Sequence, residues 1–290
     1  MARVLFVPHS RRDEAATTAR EAIEWLRDQG HEAGILEEDA RPVGLGRYVV
    51  GPVGSFRPDL AVSLGGDGTM LRALDLMCPT QAPVMGVNVG HLGFLTEVEP
   101  THIIPALERF LAGDYSIEDR MTIEIVVTSA AQGDPTKSTL SLSREVAVNE
   151  VVVEKASGNT VRLAVSVDGA PFLTYAVDGM IVATATGSTA YNLSARGPIL
   201  SPSMQAILLT PVSPHMLFDR SLVFGGEAVL DLQVIGSRNA AIVVDGRHVA
   251  TVPPGGMVTC RRSERKARIV TFGGRDFHQV LKAKFGLVDR

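Results

Sequence analysis

Near residue 115 the hydrophobic periodicity of the chain changes, and this confines it to folds that join two unlike layers of structure. Before that point, apolar runs that read as buried strands alternate with helical patterns. Val4 to Val7, residues 31–37, Leu60 to Leu64 and Val84 to Val89 read as strands. Ala15, Ala19, Ala22, Ile23 and Leu26 share one helical face that Gly30 ends, with Ser10 as the expected cap. Ile103 to Leu111 reads as a further helix, and residues 40–57, rich in Gly, Pro and Arg, as a loop. Strands alternating with helices lie side by side in a parallel sheet with helices on its faces.

After residue 115 short strands follow one another, separated by Gly, Asn and Asp turns. They are Thr122–Thr128, Glu145–Glu154, Val161–Val167, Phe172–Val177, Ile181–Ala183, Leu222–Phe224, Ala228–Val234, Ala241–Val244 and Met257–Arg261. That spacing indicates a β-sandwich or a related all-β layer. Only Ala190 to Ala195 and residues 203–209 suggest helical turns there, and residues 276–285 return to a helical pattern. The expected organisation is an α/β domain over residues 1–115, a β-rich domain over 116–270, and a C-terminal segment, 271–290, packing back on the first domain.

Composition excludes several classes. Of 290 residues, 45% are hydrophobic and 21% charged, which is ordinary globular usage with ample material for a core. The net charge of −4 provides no basic field for nucleic acid or an anionic membrane. The one dense basic run, Arg261 to Arg268, contains Glu264 and reads as a solvated strand face or turn. Cys78 and Cys260 lack the spacing of a disulfide framework or a zinc site, so reduced thiols and a cytoplasmic location are expected. The N-terminal apolar run is too short for a signal peptide, and no stretch approaches the roughly 18 apolar residues that cross a membrane.

Gly65-Gly66-Asp67-Gly68-Thr69 follows one of the buried strands and opens a helical pattern through Met70, Leu71 and Leu74. The glycines let the backbone turn sharply and approach a ligand, and a helix N-terminus offers unpaired N–H groups to an anion. Gly65, Gly66, Gly68 and Thr69 thus form a candidate phosphate cradle. Phosphate repels Asp67, so its place there calls for another role: holding Mg²⁺ or accepting a proton from a hydroxyl nucleophile. The plainer alternative is a strand-to-helix turn with Asp67 as a cap. The motif is neither a Walker A loop nor the dinucleotide glycine fingerprint.

Three further segments carry chemistry. Gly86 to Leu95 (GVNVGHLGFL) is a second glycine-rich loop, with His91 and Phe94 in it. Asn149-Glu150 interrupts an apolar strand. Burying a carboxylate is costly, and the hydroxyls of a ribose would offset that cost, while Asn149 can donate and accept at an adenine edge; the plainer alternative, and the better one for these two residues alone, is a strand on which both face solvent. Asp178-Gly179 leads into Thr184 to Ser194, a small-residue loop rich in hydroxyls, with Tyr191 able to stack on a base.

The order of these motifs resembles the NAD kinase family. The GGDGT motif alone is shared with diacylglycerol-type lipid kinases and, more loosely, 6-phosphofructokinases. The GVNxGxLGF stretch, Asn149-Glu150, the run from Asp178 to Ser194, Pro214-His215, Arg220-Ser221 and the Asp245-Gly246 turn are similar to NAD kinases only. The resemblance implies a Rossmann-like N-terminal α/β domain, a β-sandwich-like C-terminal domain, and NAD bound between them, often across the subunits of a homo-oligomer, a dimer or tetramer. It implies transfer from ATP or polyphosphate, with a divalent cation, Mg²⁺, held mainly by the donor phosphates. Asp67 would accept the proton of the ribose 2′-hydroxyl. Asn149 and Glu150 would meet the adenosine. Asp178, Thr189, Ala190, Tyr191, Asn192, Leu193 and Ser194 would hold the rest of NAD, and Gly68 and Arg72 would lie against NAD or donor phosphate.

Two positions depart from the family pattern. Ala185 stands where Pro is common, and Arg196 where Gly is common. If that position needs a positive φ, Arg196 is strained; otherwise it adds a cation near the phosphates. A lipid or sugar kinase built on the same first motif, and a non-catalytic dinucleotide-binding regulator, are the rival readings.

Overall fold

The computed structural model describes residues 1–129, 140–273 and 276–287. In chain order the first strands and helices are β1 (Arg3–Pro8), α1 (Asp13–Asp28), β2 (Glu32–Ile35), α2 (Glu37–Ala40), α3 (Val53–Phe56) and β3 (Leu60–Gly65). They are followed by α4 (Asp67–Met77), β4 (Val84–Asn88), α5 (Ile103–Leu111) and β5 (Ser116–Arg120). The all-β region holds β6 (Ile123–Ser129), β7 (Leu140–Ala147), β8 (Glu150–Lys155), β9 (Val161–Val167), β10 (Ala170–Val177) and β11 (Gly179–Thr184). After a one-turn helix, α6 (Tyr191–Ser194), come β12 (Ala206–Val212), β13 (Leu222–Gly225), β14 (Leu230–Ile235), β15 (Ala240–Val244), β16 (Arg247–Val252) and β17 (Met257–Arg262). The last are β18 (Ala267–Thr271) and α7 (Phe277–Phe285).

The chain divides into two compact units, Met1–Asp119 with Arg265–Arg290, and Arg120–Glu264. The first is an α/β layer with a six-stranded sheet in the order β2-β1-β3-β4-β18-β5. The pairs β1/β2, β1/β3, β3/β4 and β4/β18 are parallel. Val4, Phe6, Val62, Leu64, Met85 and Val87 pack with Ala19, Ile23 and Leu26 of α1 and Leu107 of α5 in one core. The alternation of strand side chains leaves Gly86 on the opposite face, where Met70 of α4 closes over it.

The second unit is a sandwich of two six-stranded sheets, β10-β9-β14-β17-β6-β7 and β13-β12-β11-β8-β15-β16. Inward residues of both sheets, among them Ile125, Leu163 and Leu232 of one and Val151, Val182 and Ile242 of the other, form one apolar core. An α/β layer followed by a β-sandwich is the fold class expected from the periodicity.

Several local readings are corrected. Ser10 does not cap α1: Arg12 occupies the cap position and no side chain bonds there. Residues 203–209 are not a helical turn. Ala206–Val212 is a buried strand between β11 and β13, because a continuous apolar run carries no period and its neighbours decide. Glu145–Glu154 is not one strand but the end of β7 and all of β8 except Lys155, in different sheets, with Val148 and Asn149 as the crossing. Residues 40–57 contain short helical turns, at Gly46–Tyr48 and Val53–Phe56, rather than loop alone. Among the described residues no helix is long and apolar enough to cross a membrane.

Candidate active site

In the first unit β1 lies between β2 and β3, so the direction of strand succession reverses there. Open α/β sheets receive ligands in the crevice outside the carboxyl ends of the strands at such a point. Here a cleft of about 360 Å³ opens, lined by His9, Ser10 and Arg12 after β1 and by Gly66, Gly68 and Thr69 after β3. Gly66 is the cap residue of α4, and the first N–H groups of that helix lack intrahelical partners. A Cβ on Gly66 or Gly68 would meet nothing within 4 Å, so both glycines face open space. Of the residues expected to form a phosphate cradle, Gly66, Gly68 and Thr69 thus line a cleft at a helix N-terminus, a place where an anion would be stabilised.

Asp67 is the first residue of α4. Its Oδ2 accepts the Phe94 N–H at 2.8 Å and its Oδ1 accepts the Leu95 N–H at 2.9 Å. This ties the GGDGT turn to the second glycine-rich loop. Gly93 makes the approach possible, since a Cβ there would collide with Oδ1 of Asp67. Lys284 of α7 places Nζ 3.8 Å from Oδ2, and 4.2 Å from the centroid of the Phe94 ring. A carboxylate has about four acceptor positions, so two backbone donors leave room for a hydroxyl.

Arg72, expected against phosphate, lines the same cleft but is shared with two carboxylates. Its Nη2 is 2.8 Å from Glu38 and 2.8 Å from Asp39. Asp39 is 5% exposed. Burial pushes its carboxyl up to about 6, against the pull of the Arg72 charge, while Glu38 adds to the rise. Asp39 and Arg12 were not singled out by the sequence. Both lie in short polar stretches that carry no motif of their own, and the fold brings them to the cleft.

In the second unit, Asn149 and Glu150 stand where the chain crosses between sheets. Glu150 is 8% exposed, and no described residue bonds its Oε2. Burial, with the neighbouring Asp245 charge second, raises its carboxyl to about 8, while the Tyr191 N–H bonded to it acts the other way. The Asn149 carbonyl accepts the Thr184 N–H at 2.8 Å. The Thr184 hydroxyl donates to the Val148 carbonyl at 2.6 Å and accepts the Gly187 N–H at 3.0 Å. The expected loop is thereby folded onto Asn149-Glu150, with Tyr191 exposed above it.

Not every residue expected in this site serves it in the same way. Thr189 and Ala190 are half-buried in the loop, and Thr189 donates to the Thr186 carbonyl at 3.3 Å. Leu193 is half-buried and Ser194 exposed. Asn192 is fully buried, and its amide is engaged by the fold: Nδ2 donates to Ser188 and Pro198 carbonyls, and Oδ1 accepts the Thr210 hydroxyl at 2.6 Å. Its side chain braces the loop rather than facing a ligand. Asp178 stands apart. It precedes β11, whose Gly179 pairs with Glu154 while Ala183, at the far end, pairs with Glu150. Four residues of strand, about 13 Å, separate the two positions. Asp178 is instead paired with Lys155 at 2.9 Å. Arg196 has φ +63°, the left-handed region that a glycine would occupy without strain.

A helix N-terminus open to an anion, with the Asp67 carboxylate on the first residue of the same helix, suits a phosphotransferase that acts on a hydroxyl. Comparison with known proteins gives the family. The family model of the ATP-NAD kinase N-terminal domain matches residues 47–115, and that of the ATP-NAD kinase C-terminal domain matches residues 148–272. The NAD kinase of Syntrophotalea carbinolica is 34% identical over 285 residues, 96% of this chain and 95% of that protein. The NAD kinase of Heliobacterium modesticaldum is 43% identical over 228 residues, 78% of each chain. This chain belongs to the NAD kinase family. The fold agrees with that of yeast NADH kinase complexed with NADH (TM-score 0.88, 22% identity, 100% of this chain and 89% of that one). It also agrees with an NAD kinase from Archaeoglobus fulgidus in complex with ATP (TM-score 0.71, 24% identity, 99% of each chain).

Proposed function

We propose that this enzyme transfers the terminal phosphoryl group of ATP, or of polyphosphate, to the 2′-hydroxyl of the adenosine ribose of NAD, forming NADP. The observation that carries the reading is Asp67, a carboxylate held by two backbone N–H groups at the mouth of an otherwise anion-seeking turn. The donor phosphates face the N-terminus of α4, with Gly66, Gly68, Arg12 and Arg72 around them. As the bond from the ribose oxygen to phosphorus forms, the bond to the leaving diphosphate breaks, and the hydroxyl proton passes to Asp67. Among the described residues no three His, Cys, Asp or Glu side chains group to hold a metal. A divalent cation, Mg²⁺, would arrive with the donor and be held mainly by its phosphates. When bound it offsets phosphate charge that no Walker lysine neutralises here.

Glu150 and Asn149 take the adenosine ribose and base edge, Tyr191 stacks on a ring, and the backbone of Thr189 to Ser194 lines the rest of the dinucleotide. Asp178 enters this scheme from a second copy of the chain, since within one copy it lies at the wrong end of β11. A homo-oligomer, dimer or tetramer, is therefore part of the proposal. So is a cytoplasmic location, which suits the free thiols of Cys78 and Cys260.

The test is a coupled assay for NADP from NAD, ATP and Mg²⁺, with diacylglycerol and fructose 6-phosphate as alternative acceptors. Asp67→Asn should lower kcat by roughly 10²–10⁴, the usual worth of a positioned general base. Near-normal turnover in that variant would remove Asp67 from the proton-accepting role.

A further inference from the structure

The crossing from β7 to β8 leaves three consecutive backbone N–H groups, those of Val148, Asn149 and Glu150, directed at one side chain. Asp245 Oδ2 accepts from Val148 at 2.7 Å, and Oδ1 accepts from Asn149 at 2.9 Å and from Glu150 at 3.0 Å. In return the Asp245 N–H donates to the Glu150 carbonyl at 3.0 Å. Asp245 therefore grips the backbone of the two residues assigned to adenosine, from a turn 96 and 95 residues later in the chain.

Asp245 also has a local duty, and the two can be separated. With Gly246 it forms the two-residue turn between β15 and β16, whose ends pair as Val244 with Arg247. Both residues have positive φ, +45° and +79°. Asn-Gly serves such a turn as well as Asp-Gly does. Three N–H donors, however, need a group with two acceptor oxygens and no donor of its own, which only a carboxylate supplies. The other sheet contains a matched case. Asp168-Gly169 makes the same kind of turn between β9 and β10, with φ +51° and +79°. There the carboxylate accepts a single N–H, from Val229 at 2.8 Å. An amide in place of that carboxylate keeps both the turn and the bond.

We propose that Asp245 is a positioning residue for the acceptor dinucleotide: its carboxylate fixes the Asn149-Glu150 backbone at the sheet crossing, and with it the seat of the adenosine ribose. The chain of contacts runs on from there, since the Asn149 carbonyl holds the Thr184 N–H and the Glu150 carboxyl holds the Tyr191 N–H. Loss of the grip thus loosens both the ribose contact and the loop that carries the stacking ring. The proposal rests on the assignment of Glu150 to the acceptor, and the controls are chosen to separate the two.

The experiment compares Asp245→Asn with Asp168→Asn and Glu150→Gln, measuring thermal stability and steady-state kinetics with NAD and ATP varied independently. Asp245→Asn should raise KM for NAD by roughly tenfold or more, the loss expected for bonds to a charged group. KM for ATP should stay within about twofold, as for binding lost on one substrate only. Asp168→Asn should leave both constants near wild type. In the wild-type enzyme without ligand, the N–H groups of Val148, Asn149 and Glu150 should exchange as slowly as those of neighbouring strand residues, a readout that needs no variant to fold. Equal loss for both substrates, an unchanged KM for NAD, or fast exchange at those three amides would each overturn the proposal. If Glu150→Gln also leaves KM for NAD unchanged, it is the acceptor assignment that has failed; if Glu150→Gln raises it and Asp245→Asn does not, the positioning role alone has failed.

Discussion

Replacing Glu150 by Gln removes a titrating group from the protein interior while keeping its size and its hydrogen-bonding oxygen. The folded protein holds this carboxyl at about 8, against 4.5 for an ordinary glutamate, through burial first and the Asp245 charge second. Between those two values the folded protein keeps a proton that the unfolded chain releases. The stability associated with it is fully present below about pH 4.5 and is lost as pH rises to about 8, at about 1.4 kcal/mol per pH unit. At pH 7 the loss amounts to about 3 kcal/mol, a sizeable share of the 5–15 kcal/mol typical of folded domains. Glu150→Gln does not titrate, so its advantage over wild type should widen steadily from pH 5 to pH 8. Thermal melts of both proteins across that range, at fixed ionic strength, measure the gap directly. Melting curves that stay parallel from pH 5 to pH 8 would refute the reasoning, because they would mean that Glu150 titrates alike in the folded and unfolded chain. The same variant should bind NAD less well above about pH 8, where wild-type Glu150 is ionised and its carboxylate is a better acceptor for ribose hydroxyls than an amide. The residue that weakens the fold at neutral pH would then be the one that holds the substrate.

Two further outcomes are expected. Arg196→Gly relieves a left-handed backbone at the end of α6 and should raise Tm, with the strain relief of about 1–2 kcal/mol partly offset by the greater freedom of glycine in the unfolded chain; a lower Tm would show that the arginine side chain stabilises more than its backbone strains. Mixing dissociated Asp67→Asn and Asp178→Ala proteins and reassembling them should give more activity than the sum of the two, because a hybrid has one site with both residues intact; strict additivity would place Asp178 outside the shared site.

The helix Ile103–Leu111 and the strand Val161–Val167 could be read to the residue, because each has a clean period with one face buried. Where the pattern was ambiguous, remote neighbours decided. Ala206–Val212 became a strand because β11 and β13 flank it. The strand expected across Asn149-Glu150 is two strands, and Asp245, which no local pattern connects to it, holds the crossing between them. Arg247–Val252 and Ala267–Thr271 escaped notice because exposed polar residues and the basic run mask their short alternation. That basic run does form a strand end, a turn and a strand start, with Arg261 on Glu124, Arg262 on Glu227 and Lys266 on Asp119. Of the site, the motifs that carry their own chemistry were legible: the glycine turn and the loop before Tyr191. Arg12 and Asp39, which line the first cleft, have ordinary local surroundings and acquire meaning only from what the fold places opposite them, while Asp245 was legible as a turn but not as the partner of Asn149 and Glu150.

The order in which the strands are synthesised differs from their order in the sheet, and this bears on how the chain is made. The sheet of the first unit needs β18, which pairs with β4, yet β18 starts at Ala267, after the whole sandwich has been translated. A nascent chain leaving the ribosome can assemble β1 to β4 with α1, α4 and α5; residues 97–98 already bond to Gly86 and Asn88 on the outer flank of β4, so what waits for β18 is its Val84 end. Bare apolar edges are templates for association with other chains. The sandwich, contiguous from Arg120 to Glu264, has no such wait and can close as soon as its last strand emerges. The first unit is thus the last to be finished, and until β18 emerges the Val84 end of β4 lacks the strand that pairs with it.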